Sequence, residues 1–252
     1  MGETAYAKIN LALHVRAREP DGYHRIETLF AFCEDGDVLS AVAADTLSLD
    51  VTGPFAGALG EGNLVLDAAR ALGVKAALTL DKRLPVAAGI GGGSADAAAT
   101  LRLLGGAGRT DIAASLGADV PACLLSRTSR GEGRGDHILP VEIEGLAGTP
   151  ILLVNPGVPL ATSAVFAAWD GVDRGPLRDW EEGRNDLEPA AIGLVPAIGA
   201  VFDSLSDARI ARMSGSGATC FGLYASEAGR DAAAARIRAT HPAWWVSQTR
   251  LR

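Results

Sequence analysis

Residues 89–93 hold four glycines around Ile90, and an alanine-rich run with helical spacing, Ser94 to Leu104, follows at once. No other feature narrows the fold as much. A glycine-rich turn feeding a helix N-terminus aims several backbone N–H groups at one point. The positive end of the helix dipole adds to them, so an anion can be held without a basic side chain. Glycine is needed where the backbone takes φ > 0 or approaches a ligand closely. Taken alone, the same residues also suit a flexible connection capped by Ser94. Two familiar loops are excluded. No lysine follows the glycines, as a P-loop requires, and Ser94 stands where the last glycine of GxGxxG belongs, with no strand immediately before the loop. A nucleophile elbow, GxSxG, fails here and at 214–217.

Around this loop the pattern alternates between strands and helices. Ala7, Ile9, Leu11, Leu13 and Val15 fall on one face of residues 4–15, with Lys8, Asn10 and His14 on the other, which predicts a half-buried strand. Pro20-Asp21-Gly22 predicts a turn before a second apolar segment, 25–32. Strand-like runs recur at 47–51, 76–80, 150–154 and 218–224. Helical spacing occupies 63–72, behind a capping Asn63, and then 185–205 and 228–239. The elements follow no regular βαβ rhythm, so the fold class is α+β. A boundary in 145–150 divides the chain into residues 1–148 and 149–252.

The net charge of −7 counts against a protein that coats nucleic acid or an anionic membrane. Three cysteines without CxxC spacing read as small core residues of a reducing compartment, and the four histidines show no metal-ligand pairing. No signal peptide opens the chain, and the longest uncharged stretch, 145–169, is broken by Pro150, Pro156 and Pro159. The expectation is a cytoplasmic protein with no nucleic-acid or membrane partner.

Pro85-Val-Ala-Ala-Gly-Ile-Gly-Gly-Gly-Ser-Ala-Asp-Ala-Ala98 resembles the second motif of the GHMP kinases. Met213-Ser-Gly-Ser-Gly-Ala-Thr219 resembles their third, and Ala7-Lys-Ile-Asn-Leu11 their first. Three motifs in the right order, from residue 7 to 219, make the match specific. Asp21-Gly-Tyr-His-Arg-Ile-Glu-Thr28, Leu116-Gly-Ala-Asp-Val-Pro121, Asn155-Pro-Gly-Val158 and Asn185-Asp-Leu-Glu-Pro189 narrow it further. With them the chain resembles the branch whose members phosphorylate the 2-hydroxyl of 4-diphosphocytidyl-2-C-methyl-D-erythritol, in the non-mevalonate route to isoprenoid precursors.

The resemblance implies two α+β lobes with the active site between them. The N-terminal lobe would have a ribosomal-protein-like topology and the C-terminal lobe a ferredoxin-like one. It implies ATP and Mg²⁺, a small-molecule substrate, and a monomer or weak homodimer. Lys8 and Asp119 match the family's catalytic pair. Val86, Ala87, Ala88, Gly89, Ile90, Gly91, Gly92, Gly93, Ser94, Ala95 and Asp96 match its ATP phosphate loop. Gly215 and Gly217 lie in its second glycine loop. Asn10, Tyr23, His24, Thr162 and Phe166 match substrate contacts, with Tyr23 and Phe166 enclosing the cytosine and His24 hydrogen-bonding it. The family usually has Ser-Ser where this chain has Ser94-Ala95, which leaves only a backbone N–H at position 95. The metal ligands are not marked by any motif.

The residues also have plainer readings. Lys8 suits a solvated surface lysine, although a chain with three lysines against twenty arginines makes a compact point charge on a strand face notable. Asp119 could cap or turn the chain before Pro121. As a base, a carboxylate is weak towards a sugar hydroxyl, which the loose transition state of phosphoryl transfer tolerates. Tyr23 and His24 suit turn packing as well as a base, Phe166 suits a core, and Ser94 suits a cap or a phosphate contact. Three functions therefore stay open beside the expected one. These are a GHMP kinase with another acceptor, a silent nucleotide sensor and a nucleic-acid module.

Overall fold

The computed structural model describes residues 2–60 and 62–252. The chain forms two compact units whose segments interleave along the sequence. One takes Met1–Lys8, Asp35–Val86 and Gly91–Arg127, and the other Ile9–Glu34, Ala87–Ile90 and Thr128–Arg252. Two long strands, β1 (Gly2–Arg18) and β2 (His24–Ala43), contribute residues to both.

In the first unit, β3 (Ser48–Thr52) runs parallel to β4 (Ala76–Asp81), and β4 pairs antiparallel with Val38–Ala43 of β2. Ala76, Leu78 and Leu80 of β4 turn inward while Ala77 and Thr79 face solvent, the period of two that the sequence shows. Four helices complete the unit: α1 (Leu64–Leu72), α2 (Gly92–Leu103), α3 (Thr110–Leu116) and α4 (Val120–Leu125). Asn63 caps α1 as expected, its side chain accepting the Val65 N–H. Packed against α1 and α4, α2 buries every residue from Ala95 to Leu101. Its run of alanines is what lets neighbouring backbones approach on several sides.

The second unit holds a hairpin, β5 (Ser129–Glu132) and β6 (His137–Pro140), with β5 paired to Thr28–Phe30 of β2. It also holds a four-stranded antiparallel sheet in the order β10-β7-β9-β8, from β7 (Pro150–Asn155), β8 (Ile210–Met213), β9 (Cys220–Leu223) and β10 (Trp245–Arg250). Helices α5 (Thr162–Ala167), α6 (Glu188–Leu194) and α7 (Ala197–Ser204) lie between β7 and β8 in the chain, and α8 (Glu227–Thr240) between β9 and β10. Read from its first strand, that sheet has the order 4-1-3-2 with helical crossovers, the ferredoxin-like arrangement. Leu152 and Val154 of β7 pack with Ile198 and Val201 of α7 and with Ala233, Ala234 and Ile237 of α8 in its core.

Three expectations change. Residues 7–15 of β1 are buried on both faces, Lys8, Asn10 and His14 included, so the strand is interior and not half-exposed. The helical pattern at 185–205 is two helices, because Pro196 cannot supply the N–H that would continue α6. Ser94 does not cap α2: Gly91, in the left-handed conformation, holds that position, and Ser94 lies in the first turn. No helix of the described residues is long and apolar enough to cross a membrane.

Candidate active site

Asp119 stands at the N-cap position of α4, where an aspartate ordinarily accepts a backbone N–H, yet its side chain makes no capping bond. Its Oδ2 lies instead 3.0 Å from Nζ of Lys8. The lysine side chain is 3% exposed and the aspartate 37%, so an enclosed cation meets a carboxylate that solvent, or a substrate hydroxyl, can reach. A buried cation is tolerated only when paired. Beside the pair runs the glycine loop: a Cβ on Gly91, at φ +64°, would sit 2.9 Å from Cε of Lys8.

The N–H groups of Gly92, Gly93 and Ser94 begin α2 and have no intrahelical acceptor. The Ala95 N–H does, donating to the Gly91 carbonyl at 2.8 Å, so position 95 offers neither the hydroxyl nor the N–H expected there. Behind this turn, Asp96 is 3% exposed and points inward. Its Oδ2 is 2.6 Å from Nζ of Lys82, which is 2.5 Å from Oδ2 of Asp37. Oδ1 of Asp37 accepts the Arg83 and Leu84 N–H groups at 2.6 and 2.8 Å. This triad fastens the start of α2 to the chain that leads into the glycine loop. Rarity of lysine was the one signal that could have singled out Lys82.

In the second unit, the Ala87–Ile90 segment packs on the second glycine loop, 214–217. A Cβ on Gly89 would lie 2.5 Å from the carbonyl oxygens of Ser214 and Gly217, and one on Gly215 would lie 2.9 Å from that of Gly89. These two glycines are thus required by backbone-on-backbone contact between loops, a reason that spacing alone did not give. Ser214 Oγ donates to the Gly89 carbonyl at 2.9 Å and accepts the Asn10 N–H at 3.2 Å. Asn185 Nδ2 donates to the carbonyls of Met213 and Gly215, each at 2.8 Å. Asn10 Nδ2 donates to Thr28 Oγ1 at 2.8 Å, and Thr28 passes the chain on to the Ala12 carbonyl. Thr28, Ser214 and Asn185 were not singled out as site residues from the sequence.

Of the remaining candidates, the structure brings His24 and Phe166 together. The His24 ring is 8% exposed, 4.9 Å from Phe166 and 5.6 Å, edge-on, from Trp169. Burial, with the Arg18 guanidinium second, holds it below the ordinary histidine value. Tyr23 is 57% exposed and makes no ring contact with Phe166; the Arg134 guanidinium lies 4.2 Å over its ring and is itself paired with Glu19 and Asp21. Thr162, at the start of α5, shares a 2.9 Å hydrogen bond with Ser216 of the second glycine loop. Among the described residues, no group of three His, Cys, Asp or Glu side chains could hold a metal ion.

Two family profiles match the chain: the GHMP kinases N terminal domain over residues 63–127 and the GHMP kinases C terminal domain over 173–243. A 4-diphosphocytidyl-2-C-methyl-D-erythritol kinase of Rhizorhabdus wittichii is 54% identical, covering 99% of this chain and 94% of that one. The protein of the same name from Sphingopyxis alaskensis is 50% identical over 100% and 99%. A crystal structure of 4-(cytidine 5'-diphospho)-2C-methyl-D-erythritol kinase superposes with a TM-score of 0.84 at 32% identity, covering 99% of both chains. The homoserine kinase of Cytophaga hutchinsonii shares the fold at 18% identity, with a TM-score of 0.65 over 96% and 94%.

Proposed function

The chain belongs to the GHMP kinases, among the 4-diphosphocytidyl-2-C-methyl-D-erythritol kinases, and we infer from this that it acts in non-mevalonate isoprenoid precursor biosynthesis. It is an ATP-dependent phosphotransferase that phosphorylates the 2-hydroxyl of 4-diphosphocytidyl-2-C-methyl-D-erythritol, giving the 2-phosphate and ADP. The observation that carries the assignment to particular residues is the Lys8–Asp119 pair, in which an aspartate at a cap position leaves its cap unmade to meet a buried lysine.

In this reading Asp119 orients the 2-hydroxyl for in-line attack and takes its proton late, since the loose transition state asks for little early deprotonation. Lys8 holds that carboxylate in place and offsets charge on the transferring phosphoryl group. Asn10, two residues along the same strand and anchored through Thr28, contacts the substrate near the reacting hydroxyl. The residues present suit a triphosphate: three first-turn N–H groups without intrahelical acceptors stand at one helix end. Gly215 and Gly217 supply the second loop. His24, Tyr23 and Phe166 take the cytosine, with Thr162 a further contact. A pyrimidine offers a π face and a polar edge, and the Tyr23 ring, exposed although Arg134 lies over one face, suits the former.

Among the described residues no side-chain cluster fits a protein-built cage for Mg²⁺. An ion held by phosphate oxygens and water is the ordinary state of Mg²⁺ with nucleotides. The two family profiles fall one within residues 1–148 and one within 149–252, which supports the two-lobe division. A cytoplasmic monomer or weak homodimer without nucleic-acid or membrane partners completes the proposal.

ADP release measured with the cytidylated alcohol, with homoserine, with galactose and with no acceptor tests the substrate. The proposal expects turnover with the first alone. Equal turnover with another acceptor, or no transfer at all, refutes it in favour of a different kinase or a silent sensor.

A further inference from the structure

Arg18 lies at the end of β1, outside every motif, and its guanidinium makes three contacts. Nε donates to Nε2 of His24 at 3.2 Å, and one terminal nitrogen donates to the carbonyls of Phe166 and Ala167 at 3.3 and 3.2 Å. A guanidinium has no acceptor, so Nε2 of His24 must be the acceptor in that bond. A neutral imidazole then carries its hydrogen on Nδ1. Among the described residues, Nδ1 makes no hydrogen bond to the protein. The same guanidinium holds the end of α5, the helix that carries Phe166, so ring and helix share one anchor.

We propose that Arg18 is a specificity-determining positioning residue, which fixes His24 as the Nδ1–H tautomer so that this donor reads N3 of cytosine and rejects uracil. The proposal rests on the base-pocket reading above. N3 of cytosine is an acceptor, whereas N3 of uracil carries a hydrogen, so the uridylated analogue sets two donors against each other. Leaving such a group unpaired in a closed pocket costs about tenfold to hundredfold in kcat/KM. Arg18 touches no substrate atom in this scheme and acts through His24.

The test compares kcat/KM for 4-diphosphocytidyl- and 4-diphosphouridyl-2-C-methyl-D-erythritol in the wild-type enzyme, Arg18→Met and Arg18→Lys. It is joined by ¹⁵N NMR of the His24 ring, assigned with His24→Asn. The wild-type enzyme should prefer the cytidylated substrate, with the ring protonated on Nδ1 only. Arg18→Met should lose about tenfold of that preference, through KM for the cytidylated substrate and not KM for ATP, and its ring should become a mixture of tautomers. Arg18→Lys, which keeps a donor, should recover part of both. A wild-type ring protonated on Nε2, or full preference retained in Arg18→Met, overturns the role of Arg18 alone. Equal use of both substrates by the wild-type enzyme overturns the base pocket, and the role of Arg18 falls with it.

Discussion

Asp96→Asn should make the protein more stable at and above neutral pH, by an amount that grows with pH up to about 7 and is constant beyond it. Lys82 meets two buried carboxylates, at 2.5 Å from Asp37 and 2.6 Å from Asp96, so the triad carries one more negative charge than positive. Asp37 has two backbone N–H donors on its other oxygen, whereas Oδ1 of Asp96 is buried without a partner. The surplus therefore falls on Asp96. Its burial, reinforced by Asp37, outweighs the attraction of Lys82 and pushes its carboxyl up to about 7 from 3.8. Lys82 is held above its ordinary value, because the pull of Asp96 and Asp37 exceeds the effect of burial.

A carboxyl raised on folding contributes stability that is complete below 3.8 and lost as pH rises through about 7. A carboxyl displaced this far costs on the order of a few kcal/mol, enough to move Tm by roughly several degrees in a chain of this size. Asparagine keeps an oxygen for Lys82 and removes the surplus charge. Thermal and urea unfolding of both proteins from roughly pH 5 to pH 8 isolates the effect, since the other titrating groups cancel in the difference. The gap should widen in favour of the variant up to about pH 7 and level off above it. A gap that stays constant, or a variant less stable at the upper end, would refute the surplus-charge argument.

Gly215→Ala forces a Cβ to 2.9 Å from the Gly89 carbonyl at φ +57°. It should cost about 1–3 kcal/mol in unfolding free energy and raise KM for ATP severalfold, as melts and nucleotide titration will show. Arg134→Ala uncovers one face of Tyr23. A lost cation–π contact of about 0.5–1 kcal/mol should raise KM for the cytidylated substrate about two- to fivefold, with KM for ATP unmoved; a change in the ATP constant instead would remove Tyr23 from the base pocket.

Local pattern carried most of the fold's elements into view. Alternation marked β1 and β4, a capping asparagine marked α1, and glycine-to-alanine composition marked the loop and α2. The strands it missed are β5, β6, β8 and β10. The first three are only four residues each, and pairing with β2, with each other and with β9, not propensity, makes them strands. In the site, Lys8 and Asp119 were legible only through the resemblance, since their 111-residue separation hides a 3.0 Å contact. Of the supports around them, Thr28 and Asn185 lay within quoted motifs with no role attached, and Arg18 lay outside every motif. Arg18, Thr28 and Asn185 act by bonding a carbonyl or ring brought close by tertiary folding. The glycines were noticed for the right place and partly the wrong reason. Gly89 and Gly215 are demanded by each other's loops, and Gly91 by the stem of Lys8.

The central claim is that Asp119, held by Lys8, positions and deprotonates the acceptor hydroxyl. Single-turnover phosphoryl transfer to 4-diphosphocytidyl-2-C-methyl-D-erythritol by Asp119→Asn, with ATP binding measured on the same sample, tests it most directly. The account predicts a transfer rate lower by about 10²–10⁴ with ATP still bound at nearly wild-type affinity. A transfer rate within a few-fold of the wild-type enzyme, under the same saturating conditions, would contradict it.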